Sequence, residues 1–160
     1  MTQLIMAITI VLVSSALFSG SEAALFSVPL VRVRQLAESG EAAALALLRI
    51  RQNMSRPIAT IVILNNIANI VGSIIVGSVA TRALGSESLG IVSGILTFMV
   101  IIFSEIIPKT LGERHAERIG LIVARPVLWL AFLFTPLVWM IERLTSPITR
   151  GTRLPTTNEA

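Results

Sequence analysis

Apolar and polar positions divide the chain into four long apolar runs separated by charged segments. The first run extends from Leu4 to Leu30 and is interrupted by "SGSE". The second begins at Pro57, a residue suited to a helix's first turn, and ends near Ala80. The third covers Ile91 to Ile107 and is closed by Pro108; the fourth covers Leu121 to Ile141. A spanning helix needs roughly 20 apolar residues, and the first three runs fit that length with some tilt. Between the first and second runs, "VRVRQLAESGEAAALALLRIRQNMSR" predicts two short helices with a break near "ESG". The helix over Ala42 to Ile50 is apolar with basic ends and suits the bilayer surface. "TRALGSESLG" predicts a short turn, and "KTLGERHAERIG" a short polar helix at the membrane surface.

Arginine placement sets the expected orientation. Arg32, Arg34, Arg49, Arg51 and Arg56 follow the first run, and Lys109, Arg114, Arg118 and Arg125 follow the third. The turn between the second and third runs carries only Arg82, offset by Glu87. The positive-inside rule puts the two basic segments in the cytoplasm and the N-terminus outside. A spanning fourth run would carry Arg143, Arg150 and Arg153 outside, and Pro126 and Pro136 are expected to break it into pieces too short to cross. It is therefore read as a kinked re-entrant or juxtamembrane element, with Trp129 and Trp139 near the interface. The competing reading is a fourth span. The N-terminus has no basic segment before its apolar run, so it reads as a retained spanning helix and not a signal peptide.

Composition narrows the class. Hydrophobic residues make up 54% of the 160 positions and charged residues 14%, more apolar surface than a soluble domain of this size can bury. The fold class is all-α integral membrane, three transmembrane helices plus cytoplasmic juxtamembrane helices. With no cysteine and a single histidine, His115, thiolate chemistry is absent, and a zinc or triad hydrolase would rest on one surface residue. No enzymatic chemistry is expected. The net charge of +4 reads as membrane topology and not as nucleic-acid binding.

Each of the first three runs contains polar residues. The first holds Ser19, Ser21, Glu22 and Ser27 in "FSGSEAALFS"; the second Asn65, Asn66 and Asn69 in "ILNNIANI"; the third Ser104 and Glu105 in "FSEIIPK". Ionisable groups inside a membrane are costly and mark ion or substrate paths by default. Carboxylate, amide carbonyl and hydroxyl are all oxygen donors, which suits a hard cation such as Mg²⁺, Ca²⁺ or Na⁺. Bland readings compete with this one. A serine commonly bonds back to its own helix, and an asparagine can join two helices. Glu105 can pair with Lys109 four residues on, and Glu22 with an interfacial arginine. The glycine-serine repeats around Ser73 and Gly77 allow close helix approach, within the subunit or between two copies.

These motifs resemble the transmembrane domain of the CorC/CNNM family of magnesium transporters, also described as the DUF21 domain. "FSGSEAALFS", "LNNIAN" and "SEIIPK" carry the resemblance in this order and with these gaps, over about Leu4 to Arg150. The resemblance implies a homodimer in the lipid bilayer of the inner (plasma) membrane, with a belt of cytoplasmic juxtamembrane helices and the C-terminus cytoplasmic. It implies Mg²⁺ transport, mainly export, coupled to inward Na⁺. ATP would act only through a pair of CBS domains; the expectation is a transmembrane domain over 1–150 and a polar tail over 151–160, truncated before that regulatory region. Position by position, the family's motif falls on Ser19, Asn66, Asn69 and Glu105. Animal members carry asparagine at Glu22 and glycine at Ser104 and Asn65. The candidate metal ligands are Ser19, Ser21, Glu22, Asn66, Asn69 and Glu105, with Ser21 included by proximity. The competing functions are a membrane anchor and dimerisation module for a regulatory domain, or a carrier of Na⁺ or protons alone.

Overall fold

The structure, a computed structural model, describes residues 1–149, and these are helical with no strand. Arg150, Arg153 and the polar tail 151–160 lie outside the described residues. The helices are α1 (Thr2–Ser27), α2 (Leu30–Glu38), α3 (Ala42–Gln52) and α4 (Ser55–Leu84). After a 3₁₀ turn at Ser86–Ser88 come α5 (Leu89–Met99), a π-helical segment (Val100–Ile106) and α6 (Ile107–Arg114). The chain continues in α7 (Ala116–Leu133) and α8 (Thr135–Thr149). Three helices are long and apolar enough to cross a membrane: Thr2–Ser27, Ser55–Leu84 and the continuous Leu89–Arg114. A 26-residue helix rises about 39 Å, more than the roughly 30 Å hydrocarbon core.

Local chemistry sets the breaks. Val28 precedes Pro29, whose ring clashes with a helical residue before it. Val28 is accordingly extended (φ −70°, ψ 121°), and α1 ends there. The expected break near "ESG" falls at Ser39–Gly40, where Gly40 adopts φ +76°. Gly85 ends α4 at φ +85°, a conformation L side chains rarely adopt.

Two expectations about proline need correction. Pro108 does not close the third helix, which continues to Arg114. The π-helical segment just before it absorbs the defect, since a residue without an N–H fits where the hydrogen-bond ladder has already changed step. The polar stretch expected as a separate surface helix is instead divided at His115: its first part completes the third helix, and its second begins α7. Pro126 likewise lies inside α7 without breaking it. Of the two prolines in the fourth run expected to break it, only Pro136 coincides with a break, a 66° bend between α7 and α8 after Phe134. By length and composition this bent pair is either a broken span or a re-entrant element.

Helix α1 is the centre of the packing. It contacts α4, the π-helical segment, α6 and α7. It runs antiparallel to α4, with Val11 against Gly72 and Ser15 against Asn65. It runs parallel to the third helix, with Leu12 beside Ser104 and Gly20 beside Pro108. Around the N-terminal half of α1, Leu4, Val11, Val76, Ala80 and Leu96 form one buried cluster. A second cluster surrounds its C-terminal end, where Leu25 and Val28 meet Leu47, Ile50, Ala124 and Val127 from α3 and α7.

Arg51 ties these parts together. Its Nη1 donates to the carbonyl oxygens of Leu25 and Phe26, both at 3.3 Å. The last carbonyls of a helix lack partners, and the helix dipole favours a cation there. On the opposite side, Arg32 of α2 forms a two-point ion pair with Glu117 of α7, at 2.8 and 3.0 Å. Hydrogen bonding to Arg32 holds the Glu117 carboxyl below its ordinary range, and the same contact raises Arg32.

Candidate cation-binding site

The polar face of α1 begins with two serines one turn apart. Ser15 and Ser19 are both fully buried. Ser15 Oγ donates to Asn65 Oδ1 of α4 at 2.8 Å. Ser19 Oγ is buried and has no hydrogen-bond partner, and the same holds for Asn69 Oδ1. Such an unpaired buried oxygen costs about 1–3 kcal/mol. Because α1 and α4 are antiparallel, Ser19 and Asn69 lie to opposite sides of the Ser15–Asn65 bond, each about 6 Å along the helix axis. The oxygens therefore form a column along α1 and not a single point.

The third helix closes this column from another side. Ser104, also fully buried, donates to the Leu12 carbonyl at 3.0 Å. This bond fixes the rotation of the π-helical segment against α1 and so sets where the next residue, Glu105, sits. Glu105 is half-buried and forms no hydrogen bond or ion pair among the described residues, with Lys109 or any other group. The Ile107 N–H bonds Ile102 C=O, the wide π spacing, and Pro108 has no N–H to offer the turn before it. Carbonyl oxygens beside Glu105 thereby lose their usual partners.

The remaining candidates are placed differently. Ser21 Oγ donates back to the Leu17 carbonyl at 2.6 Å, the intrahelical habit of serine. Glu22 is half-buried and has no ion-pair partner among the described residues. Asn66 is exposed on this chain, whereas Asn65 and Asn69 are half-buried. Ser15 escaped the reading of the sequence, although its i, i+4 spacing from Ser19 puts the two on one face.

Close backbone contact holds the site together. A Cβ on Gly20 would lie 3.2 Å from the Pro108 carbonyl oxygen. A Cβ on Gly112 would collide with the Gly20 carbonyl oxygen and come within 3.1 Å of Ala23 Cβ. Small residues at these crossings let α1 and α6 touch main chain to main chain.

Chemically, the set offers hydroxyl, amide and carbonyl oxygens together with the carboxylates of Glu22 and Glu105. Among the described residues no group of three or more His, Cys, Asp or Glu is placed to hold a metal. Oxygen donors of these kinds are the ones hard cations take.

The comparisons with known proteins agree with this architecture. The family described as "Cyclin M transmembrane N-terminal domain" (CNNM) matches residues 5–160. The chain belongs to the CNNM family. A UPF0053 protein of Synechocystis is 58% identical over 160 residues, all of this chain and 46% of that protein. The UPF0053 inner membrane protein YfjD of Escherichia coli is 32% identical over 136 residues, 85% of this chain and 32% of that one. A polyamine export protein of Haemophilus influenzae is 25% identical over 168 residues, 97% of this chain and 39% of that one. The CNNM chain thus spans less than half the length of these relatives. Its family and its three apolar helices are those of a multi-span membrane domain.

Proposed function

We propose that this CNNM domain is the membrane part of a secondary transporter that moves Mg²⁺ across the inner membrane, in the export direction and coupled to Na⁺. The observation that carries the reading is the pair of buried, unpartnered oxygens, Ser19 Oγ and Asn69 Oδ1. They lie along the same central helix against which the segment bearing Glu105 is packed. Unsatisfied oxygens are costly in an empty site and become ligands when a cation arrives. Glu105 supplies the charge, Ser19 and Asn69 neutral ligands, and Ser21, Glu22 and Asn66 further oxygens on the path. A column of donors suits an ion that moves in steps and exchanges some of its waters on the way.

The working unit is a homodimer, with the N-terminus outside and the basic segments cytoplasmic. A Cβ at Gly77 would meet nothing within 4 Å, so the small-residue face of α4 there is not used within the chain. That leaves the face available to a second copy. ATP acts through a regulatory region outside this chain.

A second reading is export of an organic polycation, favoured by the name of the Haemophilus relative. A carboxylate among neutral oxygens can serve an ammonium group as well. A pure anchor would need no cation at all. Reconstitution in proteoliposomes separates the three. Mg²⁺ flux that depends on a Na⁺ gradient and is unaffected by spermidine supports the proposal. Spermidine flux without Mg²⁺ flux favours the polycation reading, and no flux of either, by protein confirmed as folded, favours the anchor.

A further inference from the structure

A separate feature lies at the start of α4, away from the polar column. Arg49, Asn53, Ser55, Arg56 and Pro57 form one wall of an open groove of about 680 Å³, and Leu128, Ala131, Phe132 and Thr135 form the other. The first wall is polar and cationic; the second is the apolar elbow where α7 bends into α8. A smaller groove adjoins it, bounded by Ala42, Leu45, Ala46, Arg49 and Arg125, so Arg49 borders both. Among the described residues no carboxylate lines either groove. The Arg49 and Arg125 side chains are exposed and form no ion pair among the described residues. The groove's polar end also faces the first turn of α4, whose N-cap position, Met54, makes no side-chain capping hydrogen bond to the helix. The positive end of the helix dipole favours an anion there.

We propose that this groove holds the phosphate headgroup of an anionic phospholipid, with one acyl chain lying along Leu128 and Phe132. Several features agree on that class of ligand. Basic pockets between helices at the membrane surface bind anionic headgroups. The opposite wall is apolar, which a free phosphate would not need. Phe132 is 80% exposed and Trp129 65%, the setting of side chains that meet lipid at an interface. The lipid would bridge α3, α4 and α7, the same helices that enclose the C-terminal end of α1.

The test uses the full chain in mild detergent, titrated with phosphatidylglycerol, phosphatidylcholine or inorganic phosphate, with native mass spectrometry and thermal stability as readouts. Phosphatidylglycerol should bind and raise the melting temperature; phosphatidylcholine and inorganic phosphate should not. Arg49→Gln with Arg125→Gln should weaken binding about 30-fold. Arg34→Gln with Arg118→Gln, equal in charge removed but outside the groove, should bind like the parent. Phe132→Ser should weaken phosphatidylglycerol binding. Equal binding of phosphatidylcholine, equal loss in the two double variants, or full competition by inorganic phosphate would each overturn the proposal.

Discussion

Ser15 and Asn65, fifty residues apart in the chain, are joined by a 2.8 Å hydrogen bond that pins α1 to α4 at the middle of the polar column. Ser15→Ala removes the donor and leaves the amide oxygen without its partner. The expected cost is about 1 kcal/mol of stability, near the upper part of what such bonds contribute in membranes. Thermal unfolding in detergent would show it, and Ser15→Thr should restore part of the loss.

Ser19 gives the opposite sign. Its hydroxyl is buried and unpartnered, so Ser19→Ala should leave the metal-free protein as stable as the parent or more so, by up to about 1–3 kcal/mol. Mg²⁺ binding, read by isothermal titration, should fall. Simple helix glue predicts loss of stability with no change in ion response, so the two readouts separate the hypotheses.

Glu105→Gln keeps the size and one oxygen but removes the charge. Breaking a compensated charge in a low-dielectric site is severe, and Mg²⁺ affinity should drop about 100-fold or more with the fold intact by circular dichroism. Lys109→Met should have little effect, because Lys109 is not paired with Glu105. Equal losses in both variants would point to an interfacial ion pair.

Gly112→Ala should be poorly tolerated. The added methyl meets the Gly20 carbonyl, a backbone atom that cannot turn away. Overpacking of this kind costs typically about 1–3 kcal/mol. Gly77→Ala, with open space around it, should be silent in the monomer; any change in dimer content by analytical ultracentrifugation would locate the subunit interface on α4.

The Arg32–Glu117 pair predicts a pH dependence. Glu117 is depressed below its ordinary value of 4.5, so its contribution is complete above that value and disappears as pH falls through the depressed one. The stability difference between the parent and Glu117→Gln should therefore shrink as pH falls below about 4.5. The pair is exposed, so added salt should shrink it too.

The three spans, the break at Gly40 and the turn at Gly85 were legible because each follows from run length or a single residue's backbone preference. The π-helical segment was not legible. Its apolar sequence carries no mark of a change in hydrogen-bond step, and Pro108 looks like a stop until the widened turn before it is seen. Pro126 misled for a related reason: one missing hydrogen bond bends a helix but does not end it. In the polar column, Ser19, Asn69 and Glu105 stood out by type. Ser15 was hidden among neighbouring small residues, though its spacing from Ser19 was readable. Arg51 was read only as topology, since nothing local shows that its side chain reaches back 26 residues to the end of α1.

The central place of α1 also governs how the domain is made. Synthesis delivers α1 before the other helices described, yet two of its hydrogen-bond partners lie 50 and 92 residues later, at Asn65 and Ser104. Until those positions leave the ribosome, Ser15 has no native amide acceptor and the Leu12 carbonyl no hydroxyl donor from the third helix. Within this domain α1 waits in the bilayer without these contacts while the 92 residues from Leu12 to Ser104 are translated. A cell short of membrane insertases or chaperones should accumulate this early, exposed intermediate, and clearance by membrane proteases would begin with α1.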